Sequence, residues 1–114
     1  MIARVAITIA DQAADDLYQI YAARLDQRGP EGPDGAEALL DALMVTIHGL
    51  ADYPERGPVP PELEALGERN WRQITHAPYR IIYLLEGDAV TIALVADSRR
   101  DFASLLQKRL LSAR

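Results

Sequence analysis

Residues 70–96 read NWRQITHAPYRIIYLLEGDAVTIALVA, and this stretch decides the predicted fold. Apolar and polar residues alternate in three runs with the two-residue period of a β-strand. The runs are 70–76, 79–86 and 89–96. Ala77-Pro78 and Gly87-Asp88 separate them and are typical of tight turns. Both alternating sets of the middle run are largely apolar, so we expect a three-stranded antiparallel meander with its central strand buried on both faces.

The residues before this stretch predict one strand and a helical hairpin. Residues 2–9 alternate as in a strand, and apolar positions then recur with helical spacing over 11–28 and 36–52. Asp11 and Asp34 stand where the N-caps of these two helices are expected. A Gly- and Pro-rich turn joins the helices, so we expect them to pack antiparallel.

The remaining segments complete the predicted architecture. The Pro- and Gly-rich connection after the hairpin is irregular apart from one helical turn near 62–66. A last helix begins near Ser98 or Arg99, and Ser98 with Asp101 resembles a capping box. The element order predicts one two-layer α+β domain over 1–114, with a mainly antiparallel sheet packed against a helical hairpin and a C-terminal helix.

Composition excludes several classes of protein. A chain of 114 residues is long enough to bury one core without covalent staples. It has no cysteine, which excludes disulfides and thiolate chemistry, and His48 and His76 are too few to suggest a metal, so no cofactor is expected. No apolar run reaches the roughly 18 residues that cross a bilayer, and a signal peptide is not evident. We expect a cytoplasmic protein with no membrane association.

Charge divides the chain into two parts. Residues 1–68 hold four arginines against thirteen acids, a net −9, whereas residues 69–114 hold eight cations against four acids, a net +4. Five arginines of the second part could form one patch that holds an anion. They are Arg69, Arg72, Arg80, Arg99 and Arg100. Taken singly, each also suits a structural ion pair, for example Arg80 with Glu86 or Asp97, so both interpretations stay open.

Four motifs follow one another along the chain. They are LADYPERG at 50–57, GERNWR at 67–72 leading into PYRIIY at 78–83, VADSRRD at 95–101, and KRLL at 108–111. In this order they resemble the RelE/ParE superfamily of bacterial toxin–antitoxin toxins, over nearly the whole chain. The resemblance implies an α+β toxin that a tightly bound antitoxin neutralises, with operator DNA bound only through the antitoxin.

Members of the superfamily differ in their target, and the residues that catalysis would require help to choose between the targets. RelE-like members cut messenger RNA on the ribosome, whereas ParE-like members poison DNA gyrase. Metal-free RNA cleavage needs a base, an acid and cations for the phosphorane charge. The candidates here would be Arg72, His76, Arg80 and Arg100. Lys108 is the only lysine and neither Tyr nor His follows Tyr83, so a nuclease set is incomplete. Whether the chain is an enzyme stays open.

We therefore expect a ParE-like toxin of a type II module, of the kind linked to plasmid stabilization, that inhibits gyrase by protein binding. Two alternatives remain: a RelE-like ribosome-dependent endoribonuclease, and a degenerate relative that only binds antitoxin. We expect the antitoxin to place a helix in a groove between the hairpin and the last helix, and extended chain along the sheet. The expected antitoxin contacts are Leu17, Tyr21, Leu105, Leu106 and Leu110.

Overall fold

The computed structural model describes residues 4–111, and the predicted order of strands and helices is present there. The strands are β1 (Ala6–Ile9), β2 (Trp71–His76), β3 (Tyr79–Glu86) and β4 (Ala89–Asp97). The helices are α1 (Asp11–Arg28), α2 (Ala36–His48), α3 (Pro61–Glu64) and α4 (Phe102–Leu106). A 3₁₀ turn, Gly49–Ala51, extends α2, and a π-helical segment, Gln107–Leu111, extends α4. No helix of this described part combines the length and apolarity needed to cross a membrane.

The sheet is mixed and has the strand order β1-β4-β3-β2. β2, β3 and β4 form the predicted antiparallel meander. β1 lies at the edge and pairs parallel with β4, from Ala6 opposite Ala89 to Ile9 opposite Ile92. A parallel pair needs a long crossover, and the chain between β1 and β4 includes the helical hairpin, which covers one side of the sheet. The α+β fold class is confirmed, and the position of the first strand, open from the pattern alone, is at the edge.

Alternation along β3 creates two packed sides of the sheet. Ile81 and Tyr83 point to the side where α1 and α2 pack, which we call the hairpin face. Ile82 points to the opposite side, where Phe102 of α4 and Leu63 of α3 pack, and we call this the α4 face. All five side chains are at most 3% exposed. The central strand is therefore buried on both faces, as its doubly apolar pattern predicts.

The outer edge of β4 is completed by side chains where β1 ends. A β-bulge places Ala93 outside the regular pairing with β3. Beyond it, the Asp16 carboxylate accepts the Val95 N–H at 3.0 Å, and Arg109 donates to the Ala93 carbonyl at 3.0 Å. Arg109 also pairs with Asp16 at 3.0 Å, both side chains being about one-sixth exposed. These bonds satisfy edge groups that lack a partner strand and tie the C-terminal segment to α1.

Both caps predicted for the hairpin helices are wrong. Asp11 is the first residue of α1, and Ala10 takes the extended N-cap conformation without a side-chain bond. Gly35, not Asp34, occupies the N-cap of α2. A Cβ on Gly35 would come within 2.4 Å of a backbone carbonyl oxygen, so the turn admits only glycine there. The cap position therefore follows the fit of the turn rather than the capping preference of the nearest Asp.

The last helix begins later than predicted. Ser98 donates its N–H to the Pro78 carbonyl at 2.7 Å and so belongs to a turn. α4 starts at Phe102, and Asp101 is its N-cap. The Asp101 carboxylate accepts both the backbone N–H and the hydroxyl of Ser104, at 3.2 and 2.9 Å. The capping pair is thus Asp101 with Ser104, three residues after the predicted pair.

Candidate functional site

Two side chains of the sheet fasten the loop that follows the hairpin. The Tyr83 hydroxyl donates to the Pro54 carbonyl at 2.7 Å and accepts the Gly57 N–H at 3.2 Å. Burial raises the pKa of Tyr83, which keeps this donor protonated. Arg72 donates to the carbonyls of Glu55 and Gly57, at 3.2 and 2.8 Å. The guanidinium of Arg72 is therefore used to hold backbone carbonyls, and the motifs at 50–57 and 78–83 meet in one structural unit.

The same loop runs against the outer edge of β2. Pro58 accepts the Gln73 N–H at 2.9 Å, as a neighbouring strand would. Gly57 is buried, and a Cβ built on it would lie 2.1 Å from the Gln73 carbonyl oxygen. Only glycine allows this approach, which explains why the motif ends on Gly.

Arg80 lies on the α4 face and holds four elements together. Its guanidinium makes a bidentate pair with Glu62, at 2.9 Å for both bonds, and its Nε donates to the Gln73 side chain at 2.7 Å. The guanidinium carbon also stacks over Phe102, 3.9 Å from the ring centroid. The Arg80 side chain is only 12% exposed, and its hydrogen bonds lower the pKa of Glu62. Arg80 thereby joins β3 to α3, β2 and α4.

The partner of Arg80 differs from the carboxylates that the pattern suggested. Glu62, 18 residues earlier, takes the place expected for Glu86 or Asp97. Asp97 instead accepts Arg99, whose Nε lies 2.9 Å away. These hydrogen bonds lower the pKa of Asp97 to about 2. The Arg99 side chain is 82% exposed, so this pair lies on the surface.

The structure does not bring the five candidate arginines together. Arg69 precedes β2 and pairs loosely with a carboxylate of α3, whereas Arg99 and Arg100 follow β4 at the opposite end of the sheet. Arg72 lies on the hairpin face of the sheet, and Arg80 lies on the α4 face. Arg100 is exposed and lines an open cleft of about 240 Å³ beside α1.

The candidates for nuclease chemistry converge only in part. His76 and Arg72 share the hairpin face by strand alternation, as the pattern predicts, and Arg80 lies on the opposite face. In the strand register, His76 lies opposite Tyr79. This is the end of the sheet at which β4 ends, three residues before Arg100. Among residues 4–111, no group of three or more His, Asp or Glu side chains is arranged to hold a metal ion.

Two of the expected antitoxin contacts border a pocket between α1 and α2, although Leu17 is buried and belongs to the core of the hairpin face. Leu17 and Tyr21 line an open pocket of about 360 Å³ together with Tyr18 and Leu40. Tyr18, which lines this pocket, is 70% exposed. Tyr18 was missed because it lies outside the apolar stripe of α1, whereas Leu40 was placed on the apolar side of α2 but not among the expected contacts. The pocket lies between α1 and α2.

The other three expected contacts lie on the opposite side of the sheet. Leu106 is buried in the cluster of the α4 face, and Leu105 and Leu110 pack against that cluster. The last helix and the hairpin therefore cover different faces of the sheet, and the pocket that Leu17 and Tyr21 line lies between α1 and α2.

Comparison with known proteins gives one family and several related folds. A family model described as the ParE toxin of the type II toxin–antitoxin system, parDE, matches residues 7–102. No curated protein sequence matches the chain significantly. Solved structures also resemble it, and the three described below are at most 19% identical to it, a level at which the likeness concerns the fold alone.

Three of these structures illustrate the likeness. The chromosomal ParDE system of P. aeruginosa matches with a TM-score of 0.66 and 18% identity, over 82% of this chain and 96% of that one. The RelBE2 toxin–antitoxin complex of Mycobacterium tuberculosis matches with 0.57 and 19%, over 85% and 94%. A mutant of the E. coli toxin RelE in the free state matches with 0.60 and 11%, over 95% of both chains.

Proposed function

The chain belongs to the ParE toxin family of type II toxin–antitoxin systems, and from this premise we propose that it inhibits DNA gyrase by protein binding and is neutralised by a cognate antitoxin. Such a toxin needs a recognition surface and no phosphodiester chemistry.

The observation that carries the proposal is the internal use of Arg72 and Arg80. Stabilising a phosphorane requires cations whose donors point at the reacting phosphate. Arg72 donates to two backbone carbonyls. Both terminal nitrogens of Arg80 donate to Glu62, and its Nε donates to Gln73. These arginines would have to break structural bonds before they met RNA. This supports binding of a protein target over RNA cleavage.

The arginines that remain at the surface are proposed to contact the target. Arg99 and Arg100 follow β4, and both are exposed. Arg69 is exposed at the other end of the sheet, so it would contact a different part of the target. Arg72 and Arg80 are proposed to act indirectly, by holding the loop and the α4 face in place. We expect segments of an antitoxin that cover Arg99 and Arg100 to carry acids.

Induction of the toxin in bacteria tests the function directly. Gyrase inhibition predicts an SOS response and filamentation, and the purified protein should block supercoiling of relaxed plasmid by gyrase. Rapid translation arrest with cut messages would instead identify a ribosome-dependent nuclease. Normal growth with full expression of folded protein would identify a relative that has lost toxicity.

A matched pair of variants tests the surface arginines. Arg100→Ala should weaken gyrase inhibition about tenfold, since arginine is common among the residues that dominate protein interfaces. Arg28→Ala removes an exposed arginine from the end of α1 and should leave inhibition unchanged. Equal inhibition by both variants, with unchanged folding, would remove Arg100 from the target surface.

A further inference from the structure

The outer edge of β2 is covered by the preceding loop at one residue and open at the next position that faces outward. Gln73 donates its N–H outward, to the Pro58 carbonyl at 2.9 Å. Backbone groups alternate in direction along a strand, so the N–H and the carbonyl of Thr75 also face outward. Thr75 is exposed, and neither of these groups has a hydrogen-bond partner among residues 4–111. A strand edge of this kind is a template for another extended chain.

A cleft of about 300 Å³ lies beside the open edge. Its lining includes Thr46 of α2, Ile74 of β2 and Arg56 of the loop. Ile74 belongs to the core of the hairpin face, so the cleft lies on that side of the sheet. A residue that paired with Thr75 would direct its own side chain to the α4 face and that of its neighbour into the cleft, because side chains alternate along a strand.

Arg56 provides a cation at this cleft that the fold itself does not use. Its side chain is exposed and makes no ion pair or hydrogen bond with the described residues. The Nη1 atom of Arg56 lies 3.3 Å from the position that a Cβ on Gly49 would take, so the guanidinium lies against the end of α2. Tyr83 and Arg72 bond to the residues before and after Arg56. The loop is therefore ordered before any partner binds, which lowers the entropic cost of binding.

The open edge continues the surface proposed for the target. In the register of the sheet, Thr75 lies opposite Arg80, and Arg80 lies opposite Ala96 of β4. Two strand spacings amount to about 10 Å, which separates Thr75 from a point four residues before Arg100. The pocket that two of the expected antitoxin contacts line is elsewhere, between α1 and α2. One target protein can therefore reach both the open edge and the exposed arginines after β4.

We propose that gyrase adds an extended, acidic segment antiparallel to the edge of β2; this inference rests on the proposed function, which supplies the target. One residue of the segment exchanges two hydrogen bonds with Thr75. Its neighbour places an Asp or Glu side chain in the cleft, where the Arg56 guanidinium binds the carboxylate. The main-chain bonds supply affinity, and Arg56 makes the site selective for an acidic segment.

Supercoiling of relaxed plasmid by purified gyrase tests the backbone part of the site. The measurement is the toxin concentration that halves the activity. Thr75→Pro removes the outward N–H without removing a bond between β2 and β3, and it should raise this concentration about fivefold or more. Thr75→Ala keeps the N–H, so its effect should be at least about threefold smaller than that of Thr75→Pro.

A second pair of variants tests the charge at the cleft in the same assay. Arg56→Glu should raise the toxin concentration that halves supercoiling about tenfold, because it replaces the cation with a charge that repels an acidic segment. Arg28→Glu makes the same change of charge at the exposed end of α1 and should leave the concentration unchanged. Circular dichroism establishes that each variant is folded. Arg56→Glu decides the outcome if Thr75→Pro does not fold.

The outcomes separate this inference from the proposed function. A folded wild-type protein that does not inhibit gyrase removes the proposed function, and the inference with it. Wild-type inhibition that Arg56→Glu and Arg28→Glu change equally overturns the edge assignment and leaves gyrase inhibition intact.

The same variants also distinguish other occupants of the edge. The product of the reading frame beside the gene serves as the antitoxin in a binding measurement. If Arg56→Glu weakened binding of this product but not inhibition of gyrase, the edge would belong to the antitoxin and the inference would be wrong. Self-association of the toxin that Thr75→Pro abolished would assign the edge to a second copy, with the same consequence.

Discussion

The two faces of the sheet are closed in different ways. On the hairpin face, helices of 18 and 13 residues pack side chains such as Leu43 and Ile47 into a continuous apolar core. On the α4 face, helices of four and five residues cover a smaller cluster, and the charged side chains of Arg80 and Glu62 fasten them. The first face depends on apolar area, and the second depends on a few polar bonds at its border.

This difference indicates where the molecule opens first. Short helices bury little area and leave their ends exposed, so local unfolding at the α4 face should cost less than global unfolding. The α4 face is also the one whose stability responds to charge and pH, whereas the hairpin face should respond to volume.

Leu43→Ala on the hairpin face should cost about 3–4 kcal/mol, because long packed helices relax little around a cavity. Leu106→Ala on the α4 face should cost only about 2 kcal/mol, because the last helical segment packs on a smaller cluster and can shift into the space. Both side chains are at most 1% exposed in the native fold. Guanidinium unfolding monitored by circular dichroism measures both values. Equal losses of unfolding free energy in the two variants would contradict a difference in packing between the two faces.

Arg80→Met should cost about 2 kcal/mol, since it leaves the Glu62 carboxylate without its bidentate partner in a partly buried position. Methionine keeps most of the volume over Phe102 and so isolates the loss of charge. Arg99→Met is the matched control and should leave the unfolding free energy unchanged, because the side chain of Arg99 is 82% exposed. A similar loss of unfolding free energy in both variants would show that the pair of Arg80 with Glu62 does not stabilise the α4 face.

Tyr83→Phe should cost about 1–1.5 kcal/mol, because it leaves the Pro54 carbonyl and the Gly57 N–H without their buried partner. Tyr79→Phe, on the same strand face, is the control, since its hydroxyl makes no hydrogen bond with any described residue. Thermal unfolding compares the two variants. If Tyr79→Phe proved as costly, the loop clamp would not explain the effect.

Acid should loosen the α4 face before the hairpin face. The pKa values of Glu62, which pairs with Arg80, and of Asp101, the N-cap of α4, are lowered by their hydrogen bonds. Each folded-state pKa lies below its unfolded value, so the unfolded chain binds more protons and stability falls as the pH drops below about 4.5. Hydrogen exchange should show amides of α4 losing protection first across this window.

Substitution Glu62→Gln provides the control for acid sensitivity. The neutral side chain removes one of the two carboxylates of the α4 face whose pKa is lowered, so the decline in stability below pH 4.5 should become shallower. An unfolding free energy that stays constant between pH 5 and 2.5 in the wild type would contradict the assignment.

Much of the fold was predictable because backbone geometry imposes short periods on the sequence. Alternation identified β2, β3 and β4 within one residue of their observed bounds, and helical spacing located both helices of the hairpin. The helix caps were not predictable in the same way. Gly35 and Asp101 became caps because of how the turns fit around them, and that fit involves backbone atoms outside the local pattern.

The candidate site was predictable in composition but not in arrangement. A structural ion pair of Arg80 was one of two interpretations left open, and Glu62 could not be chosen over Glu86 or Asp97 without knowing where α3 lies. Leu17 and Tyr21 were expected to contact an antitoxin in a groove against the last helix, whereas the pocket that they line lies between α1 and α2.

By itself, the sequence determined the order of elements, the doubly buried central strand and the family, since each depends on patterns a few residues long or on motifs in chain order. The tertiary structure alone decided that Arg72 and Arg80 lie on opposite faces and that Arg109 reaches Asp16 across 93 residues. The physical reason is that alternation assigns a side chain to one face of its strand, whereas only packing decides what lies on that face and which charge it meets.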